Sequence, residues 1–166
     1  MLMHEIEFVP LPNVGEGPLI ELMNDPAVRK HLPLAAGAFT PDACRAFLRA
    51  KQALWDAHGY GPWAFYIHGD FAGWGGLQPE HGDADFALVL SPKFWGWGRR
   101  IFRAVVERAF GHMKLPSITA LLPPSRLNAR VLTRLGFVAD GQVLVDGQRF
   151  LRFRLDNPAV HHGGSE

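Results

Sequence analysis

The chain has 166 residues, 48% of them hydrophobic and 20% charged, with a formal net charge of +1 at pH 7. These values predict one globular domain with a sizeable core and argue against a broad nucleic-acid or membrane surface. No apolar run approaches the roughly 20 residues that span a bilayer, the N-terminus lacks signal-peptide features, and a single cysteine excludes an internal disulfide. We therefore expect a cytoplasmic monomer or homodimer, with one domain over 1–156 and a polar tail over 157–166.

The first half of the chain predicts one strand, two helices and a hairpin. Polar and apolar residues alternate in the strands, whereas apolar residues recur at helical spacing in the longer helix. Asp25-Pro26 and Thr40-Pro41 each combine an N-cap residue with a proline at the first helical position. The predicted elements are a strand over 5–10, a helix over 19–23, a helix from Pro41 that Gly59 closes, and strands over 63–68 and 71–77 around a Gly69-Asp70 turn. Three glycines thin the second hairpin strand but admit a close neighbour: Gly73, Gly75 and Gly76.

The second half predicts a glycine loop between a strand and a helix, and a final hairpin. The predicted elements are a polar turn over 79–83, a strand over 84–90, the loop over 91–100, a helix over 101–113, a strand over 117–122, a helix from Ser125 to Gly136, and strands over 138–145 and 148–155 around Asp146-Gly147. The order is β-α-α-β-β-β-α-β-α-β-β. This order predicts an α+β fold, a mixed sheet with helices on its faces.

The glycine loop has the composition of an anion site. Gly96 and Gly98 let the backbone approach a ligand closely and turn N–H groups outward. The helix that follows adds unpaired N–H groups and the positive end of its dipole. Arg99, Arg100 and Arg103 add positive charge, and arginine suits phosphate geometry. The loop therefore predicts a phosphate site.

Other interpretations of this loop fit less well. A dinucleotide site needs a third glycine where Ile101 stands and an acidic residue about 20 residues further on, where Leu121 and Leu122 lie. A P-loop needs Gly-Lys-Ser/Thr, which is absent. A glycine pair that only turns the chain is the plain alternative.

Three stretches of the chain resemble one branch of a known family. Residues 92–98 resemble the coenzyme A loop P-x-Y-W-G-x-G of the Gcn5-related N-acetyltransferases (GNAT), in the branch that acetylates the N-termini of ribosomal proteins. Residues 24–33 resemble that branch's D-P-x-V … Y-L-P, and residues 132–137 its L-x-K-L-G-F. The element order is also that of the family. The resemblance covers nearly the whole chain and implies a GNAT fold, with the strands 84–90 and 117–122 parallel and splayed apart.

The resemblance implies transfer of an acetyl group from acetyl-CoA to a primary amine by direct attack. The acceptor would be a protein N-terminus, an amino acid or a small-molecule amine. The alternative is a related module that binds acyl-CoA without turnover. The residues that the resemblance assigns to acetyl-CoA are Leu88, Val89, Leu90, Trp95, Gly96, Trp97, Gly98, Arg99, Arg100, Ile101, Ser125 and Asn128. Arg100 departs from the family, which has a small residue there, and its side chain could crowd the pyrophosphate, point away or bind a phosphate.

The catalytic candidates are also implied by the resemblance. Asp85 stands where the branch often has the Glu of A-E-I-G-Y, and it is the first candidate for the base that deprotonates the amine. His68, at the end of a neighbouring strand, is the second. Ser125 and Asn128 occupy the two positions of the branch's N-x-x-S with the residue types exchanged, and both can donate hydrogen bonds. Leu132 stands where many relatives have a tyrosine that protonates the leaving thiolate.

The remaining polar residues give no metal site, since the eight histidines show no ligand spacing. Cys44 is interpreted as a small packed residue. The acceptor pocket is expected between the loop over 33–39 and the final hairpin, with Asp85 facing it. Strand alternation puts Arg152 and Arg154 on one face of that hairpin, where they either bind an acidic acceptor or form a solvated face.

Overall fold

The structure is a computed structural model that describes residues 5–32, 37–123 and 129–161. Its elements in chain order are β1 (Ile6–Pro10), α1 (Glu16–Asn24), α2 (Pro26–Arg29), α3 (Pro41–His58), β2 (Trp63–Ile67), β3 (Asp70–Glu80), β4 (Asp83–Leu90), α4 (Gly98–Glu107), β5 (Ser117–Leu122), α5 (Ala129–Arg134), β6 (Val138–Val145), β7 (Gln148–Asp156) and α6 (Pro158–His161). A 3-10 turn, Pro92–Trp97, precedes α4, and a π-helical turn, Arg108–His112, follows it.

The seven strands form one mixed sheet in the order β1-β2-β3-β4-β5-β7-β6. Every neighbouring pair is antiparallel except β4 and β5, which are parallel. Pairing between these two consists of Asp85 with Thr119 and Phe86 with Ala120. Residues 87–90 of β4 then continue without a partner in β5, so the two strands part toward their carboxyl ends. The predicted α+β fold with splayed central strands is confirmed.

Alternation along β4 divides its side chains between two layers. Ala84, Phe86, Leu88 and Leu90 belong to the core beneath α4, where Phe86 meets Phe102 edge to face. Asp85, Ala87 and Val89 lie on the opposite face, which α1 and α3 cover over β1 to β3. A second, smaller core lies beneath those two helices and includes Leu11, Leu19 and Cys44. Cys44 is fully buried, as predicted for a packed residue.

The predicted helix boundaries rest on capping chemistry that the structure contains. The Ala27 N–H donates to Asp25 Oδ1 at 2.8 Å, and the Ala43 N–H donates to Thr40 Oγ1 at 3.1 Å. Gly59 ends α3 in the left-handed conformation. α1 begins at Glu16, three residues before the prediction, because a proline in the first helical turn removes no intrahelical hydrogen bond.

Two hairpin turns differ from the prediction, one in position and one in length. His68 and Gly69, with φ of 51° and 84°, form the turn between β2 and β3, one residue before the predicted Gly69-Asp70. His81 and Gly82, with φ of 49° and 83°, replace the polar turn expected over 79–83. Two left-handed residues in succession match the twist of paired strands. The β3–β4 ladder therefore continues to Glu80 and Asp83.

The chain after β7 is attached to the fold at its first residue. Asn157, predicted to open a polar tail, is 2% exposed. Its side-chain amide donates to Leu115 O at 2.9 Å, and its Oδ1 accepts from Ala159 N at 3.0 Å, at the start of α6. None of the helices formed by the described residues is both long and apolar enough to span a membrane.

Candidate active site

The gap between β4 and β5 opens beside a groove of about 220 Å³. Leu88, Val89, Leu90 and Trp95, all assigned to the cofactor by the resemblance, line it together. The opposite wall consists of three residues that no prediction assigned: Val28, His31 and Leu32. They belong to the stretch that resembles D-P-x-V … Y-L-P, which was the signal in the sequence that could have placed them here.

Trp95 closes one end of this groove. Its indole Nε1–H donates to Leu90 O at 2.9 Å, and its ring meets His31 edge to face at 5.8 Å between centroids. The side chain is nevertheless 48% exposed. A large, half-exposed aromatic fixed by a single backbone hydrogen bond suits a wall against which a ligand packs.

The glycines of the loop are not required by the fold. Neither Gly96 nor Gly98 has a positive φ, and Gly98 begins α4 in ordinary helical conformation. A Cβ at Gly96 would meet nothing within 4 Å, and a Cβ at Gly98 would meet only Leu88 Cδ2, at 4.0 Å. A helix start without internal need of glycine is consistent with a ligand that approaches the backbone.

The N-terminus of α4 presents unpaired donors beside these glycines. No side chain caps the helix, so its first-turn N–H groups lack a side-chain acceptor. The Gly98 N–H is one exception among those assigned to the pyrophosphate, because it donates to Trp95 O. The N–H groups of Arg99 and Arg100 can bind an anion, whereas the Ile101 N–H, also assigned to the pyrophosphate, forms the first intrahelical hydrogen bond with the carbonyl of the N-cap residue Trp97.

Arg100 folds onto Trp97, the N-cap residue of α4. Its guanidinium carbon lies 3.5 Å from the ring centroid of Trp97, a stacked cation–π contact. Of the three possibilities that the sequence left open, the structure shows the side chain folded onto the loop's own tryptophan.

Asp85 lies on the side of the sheet opposite α4. Thr119 Oγ1 donates to its Oδ1 at 2.9 Å. Burial raises the pKa of the carboxyl to about 7, and the charges of Glu80 and Asp83 add to the rise against the hydrogen bond from Thr119. A carboxyl with this pKa is partly ionised at neutral pH and can accept a proton there.

A small pocket brings Asp85 together with residues of the last three strands. Leu121 of β5, Val143 of β6 and Arg152 of β7 line it. Asp85 therefore faces the side on which the resemblance placed the acceptor, and sequence reasoning had not connected it with Thr119, Leu121 or Val143.

His68 lies elsewhere. It is an exposed residue of the β2–β3 turn, and its ring meets Trp97 edge to face at 5.8 Å. This turn extends past the carboxyl end of β4, whereas Asp85 lies near the start of that strand. The structure therefore places His68 against the glycine loop and does not bring it to Asp85.

Arg152 and Arg154 lie on one face, as predicted, but they are neither solvated nor free. Both donate to Asp140 Oδ2, at 3.1 and 2.8 Å. Arg154 also binds both oxygens of Asp83, at 2.9 and 3.1 Å, and Ser117 Oγ at 2.8 Å. These half-buried contacts engage both guanidinium groups with internal carboxylates, so the acceptor would not find unpaired arginines here.

Two assigned residues, Ser125 and Asn128, lie outside the described residues, as do positions 33–36 of the loop expected to wall the acceptor pocket. Over 5–32, 37–123 and 129–161, no group of three or more histidine, cysteine, aspartate or glutamate side chains could hold a metal ion.

Comparison with known proteins gives consistent results. Residues 8–138 match the acetyltransferase (GNAT) domain family. The chain is 25% identical over 125 residues to the FsC-acetyl coenzyme A-N(2)-transacetylase of Aspergillus fumigatus, an alignment that covers 68% of this chain and 53% of that protein. The chain thus spans about half the length of this curated relative.

Solved structures share the fold across almost the whole chain. A GNAT-family acetyltransferase from Bacillus anthracis superposes with a TM-score of 0.67 at 17% identity, covering 93% of this chain and 96% of that one. A chimera of the spermidine N-acetyltransferase SpeG from Vibrio cholerae with hSSAT gives a TM-score of 0.69 at 13% identity, covering 95% and 99%. At these identities the likeness concerns the fold alone.

Proposed function

The chain belongs to the GNAT acetyltransferase family, and from this premise we propose that it transfers the acetyl group of acetyl-CoA directly to a primary amine. One observation carries the proposal: β4 and β5 part at the level of a glycine loop whose glycines the fold itself does not need. The same gap lies between the candidate base and the start of α4.

Acetyl-CoA fits the residues of this gap. The backbone of Leu88, Val89 and Leu90, which lacks a neighbour in β5, would hold the pantetheine arm. The N–H groups of Arg99 and Arg100, with Trp97 beside them, would hold the pyrophosphate at the helix start. When bound, acetyl-CoA supplies an activated acetyl thioester. From the resemblance, Ser125 and Asn128 are proposed to add hydrogen bonds from the neighbouring helix.

Asp85 is proposed as the base. An amine must be neutral to attack a thioester, and a carboxylate with a pKa of about 7 can take its proton at neutral pH, directly or through a water. The hydrogen bond from Thr119 orients that carboxylate. Holding the amine and the acetyl group in line supplies much of the remaining rate enhancement.

We also infer the branch of the family, the cellular compartment, the domain bounds and the role of His68. The three resembling stretches support the branch that acetylates ribosomal-protein N-termini. The single cysteine fits a reducing compartment, and we infer a cytoplasmic monomer or homodimer. We also retain residues 1–156 as one domain. We propose that His68 supports the glycine loop by packing on Trp97 and that it is not the base.

Calorimetric titration with acetyl-CoA tests the proposal. The wild type should bind it, whereas Gly98→Leu should not, because a side chain at that position would occupy the approach to the helix start. Gly98→Leu should melt no lower than the wild type, since its Cβ has room and leucine favours helix over glycine. Gly111→Ala, in the π-helical turn, is the matched control and should bind normally.

Thiol release with a panel of amines then separates the two functions. Release that depends on the amine supports transfer, and binding without release supports the acyl-CoA-binding module. If the wild type fails to bind millimolar acetyl-CoA, or if Gly98→Leu binds as well as the wild type, the gap is not the acetyl-CoA site.

A further inference from the structure

Lys51 points from α3 toward the sheet and not into solvent. Its Nζ donates to Gln78 Oε1 at 2.6 Å and lies 4.9 Å from the ring centroid of Phe47 and 5.4 Å from that of Trp74. Burial lowers the pKa of its ammonium group. An amide oxygen and two aromatic faces therefore hold this ammonium over β3.

The residues that hold it also locate it relative to the candidate base. Gln78 pairs across the strands with Asp85, and Trp74 pairs with Val89. Directly opposed residues of an antiparallel pair share a face, with Cβ atoms about 4.5–5.5 Å apart. The ammonium thus lies on the face of Asp85, beside the part of β4 between these two partners. Ala87, in the middle of that part, has a small and exposed side chain, which leaves room above it.

No carboxylate among the residues that the structure describes lies within 4.0 Å of Lys51 Nζ. The nearby acid is Glu80, which accepts from the Gln78 amide at 3.5 Å and whose charge partly offsets the effect of burial on the pKa of Lys51. Arg152 and Arg154, on the other side of Asp85, are both paired. Removing an ammonium from water costs free energy unless charge or hydrogen bonds compensate it. Because an ammonium has three donors, the bond to Gln78 leaves donors for a ligand.

We propose that Lys51 binds a carboxylate of the acceptor, so that the acceptor is an amino acid or another amino carboxylate. This inference rests on the proposed function and selects among its acceptors. The acceptor's amine lies at Asp85 and its carboxylate reaches Lys51 by a charge-assisted hydrogen bond. In an α-amino acid the amine and the carboxylate are separated by one carbon, and Gln78, which binds Lys51 and pairs with Asp85 across the strands, links the two protein groups on one face of the sheet.

The experiment compares each of the twenty common L-amino acids with its carboxamide as acceptor, in wild type and in Lys51→Met. The carboxamide keeps the amine and removes the charge. The wild type should prefer the carboxylate of its best acceptor, and Lys51→Met should reduce that preference at least tenfold, mostly through KM. The amine of an amino acid and that of its carboxamide differ in intrinsic reactivity. This difference cancels when the preference measured for Lys51→Met is divided by the preference measured for the wild type. Arg49→Met removes a cation from the exposed face of the same helix and should leave the preference unchanged.

Direct binding keeps the inference independent of turnover. Calorimetric titration of the same amino acids into the protein with free CoA should show binding that Lys51→Met loses and that the carboxamides lack. A wild type without preference for the carboxylate, or a Lys51→Met protein that keeps it in either assay, overturns the inference while acetyl transfer stands. Binding of amino acids through Lys51 without any thiol release would instead refute the proposed function and leave this inference standing.

Discussion

The environment of Asp85 favours proton transfer by its carboxyl group at the expense of the stability of the fold. Burial and two neighbouring acids oppose its ionisation, and a single hydroxyl from Thr119 supports it. A carboxyl in an ordinary exposed position would be ionised throughout the neutral range and would be a weaker base. The cost is a carboxylate that the fold accommodates poorly once it has lost its proton.

The activity of Asp85→Asn should therefore fall on the order of 10²-fold or more in kcat, with acetyl-CoA binding unchanged. In the wild type, kcat/KM should rise with pH up to about 7 and then level off, because the base must be deprotonated. A pH–rate profile with a fixed acceptor measures this. The assignment fails if Asp85→Asn keeps the wild-type profile.

The same residue should have the opposite effect on folding. Its pKa rises from 3.8 to about 7 in the fold, so the folded protein retains a proton that the unfolded chain loses. This contribution to stability is complete below the lower value and is lost as pH rises through about 7. At pH 8, Asp85→Asn should be more stable than the wild type by on the order of 1–3 kcal/mol.

Melting curves at pH 4 and pH 8 measure that difference, which should be much smaller at pH 4. Each kcal/mol corresponds to about 2–4 °C in Tm for a chain of this size. Asp70→Asn, at the exposed first residue of β3, is the matched control and should show no such trend. Equal shifts at both pH values would mean that the carboxyl is not desolvated.

At the scale of elements, β3 fixes the position of β4. A Cβ at Gly73 would lie 2.1 Å from Val89 O, and one at Gly75 would lie 2.3 Å from Ala87 O. The sequence interpretation of these glycines as a thin strand with a close neighbour is confirmed, and the neighbour is the backbone that borders the gap. The glycines let β3 pack closely against the part of β4 that has no partner in β5.

Gly75→Ala should therefore displace β4 and destabilise the fold by about 2–3 kcal/mol, since its φ of 142° is also unfavourable for a side chain. Urea denaturation followed by circular dichroism measures the loss. Gly111→Ala, where a Cβ meets nothing within 4 Å, should cost no stability. If the two substitutions had equal effects, the close approach of β3 and β4 would be in doubt.

At the scale of the molecule, one side chain joins the two halves of the sheet. Arg154 of β7 reaches across β5 to Asp83 of β4 and also binds Asp140 of β6. The pairing of β4 with β5 is short, so this contact supplements it at the closed end of the gap. The positions of both halves relative to the acceptor therefore depend on an ion pair as well as on backbone hydrogen bonds.

Arg154→Met should cost about 1–3 kcal/mol of stability, because it leaves the half-buried carboxylate of Asp83 without its cation, whereas Asp140 keeps Arg152. It should also raise KM for the acceptor, because the walls of the Asp85 pocket would lose their fixed separation. Denaturation and steady-state kinetics measure the two effects. Arg49→Met is again the control, and an equal loss there would show that only net charge matters.

The parts of this protein that the sequence predicted are those determined by local chemistry. Thr40-Pro41 starts a helix and Asp146-Gly147 turns a hairpin whatever the rest of the chain does. The contacts of Arg154 with Asp83, 71 residues apart, depend on the strand order β4-β5-β7 and left no local signal. The pKa of Asp85 was equally hidden, since its burial involves side chains from β5, β6 and β7.

The parting of β4 and β5 has a consequence for the catalytic cycle. The backbone along the gap and the glycine loop would contact the pantetheine arm and the pyrophosphate, which acetyl-CoA and CoA share. These contacts therefore cannot distinguish the product CoA from the donor acetyl-CoA. Contacts that bind acetyl-CoA more tightly therefore also slow the release of CoA. The turnover rate then depends on the exchange of bound CoA for acetyl-CoA. The cellular ratio of acetyl-CoA to CoA sets the fraction of the protein that carries the donor.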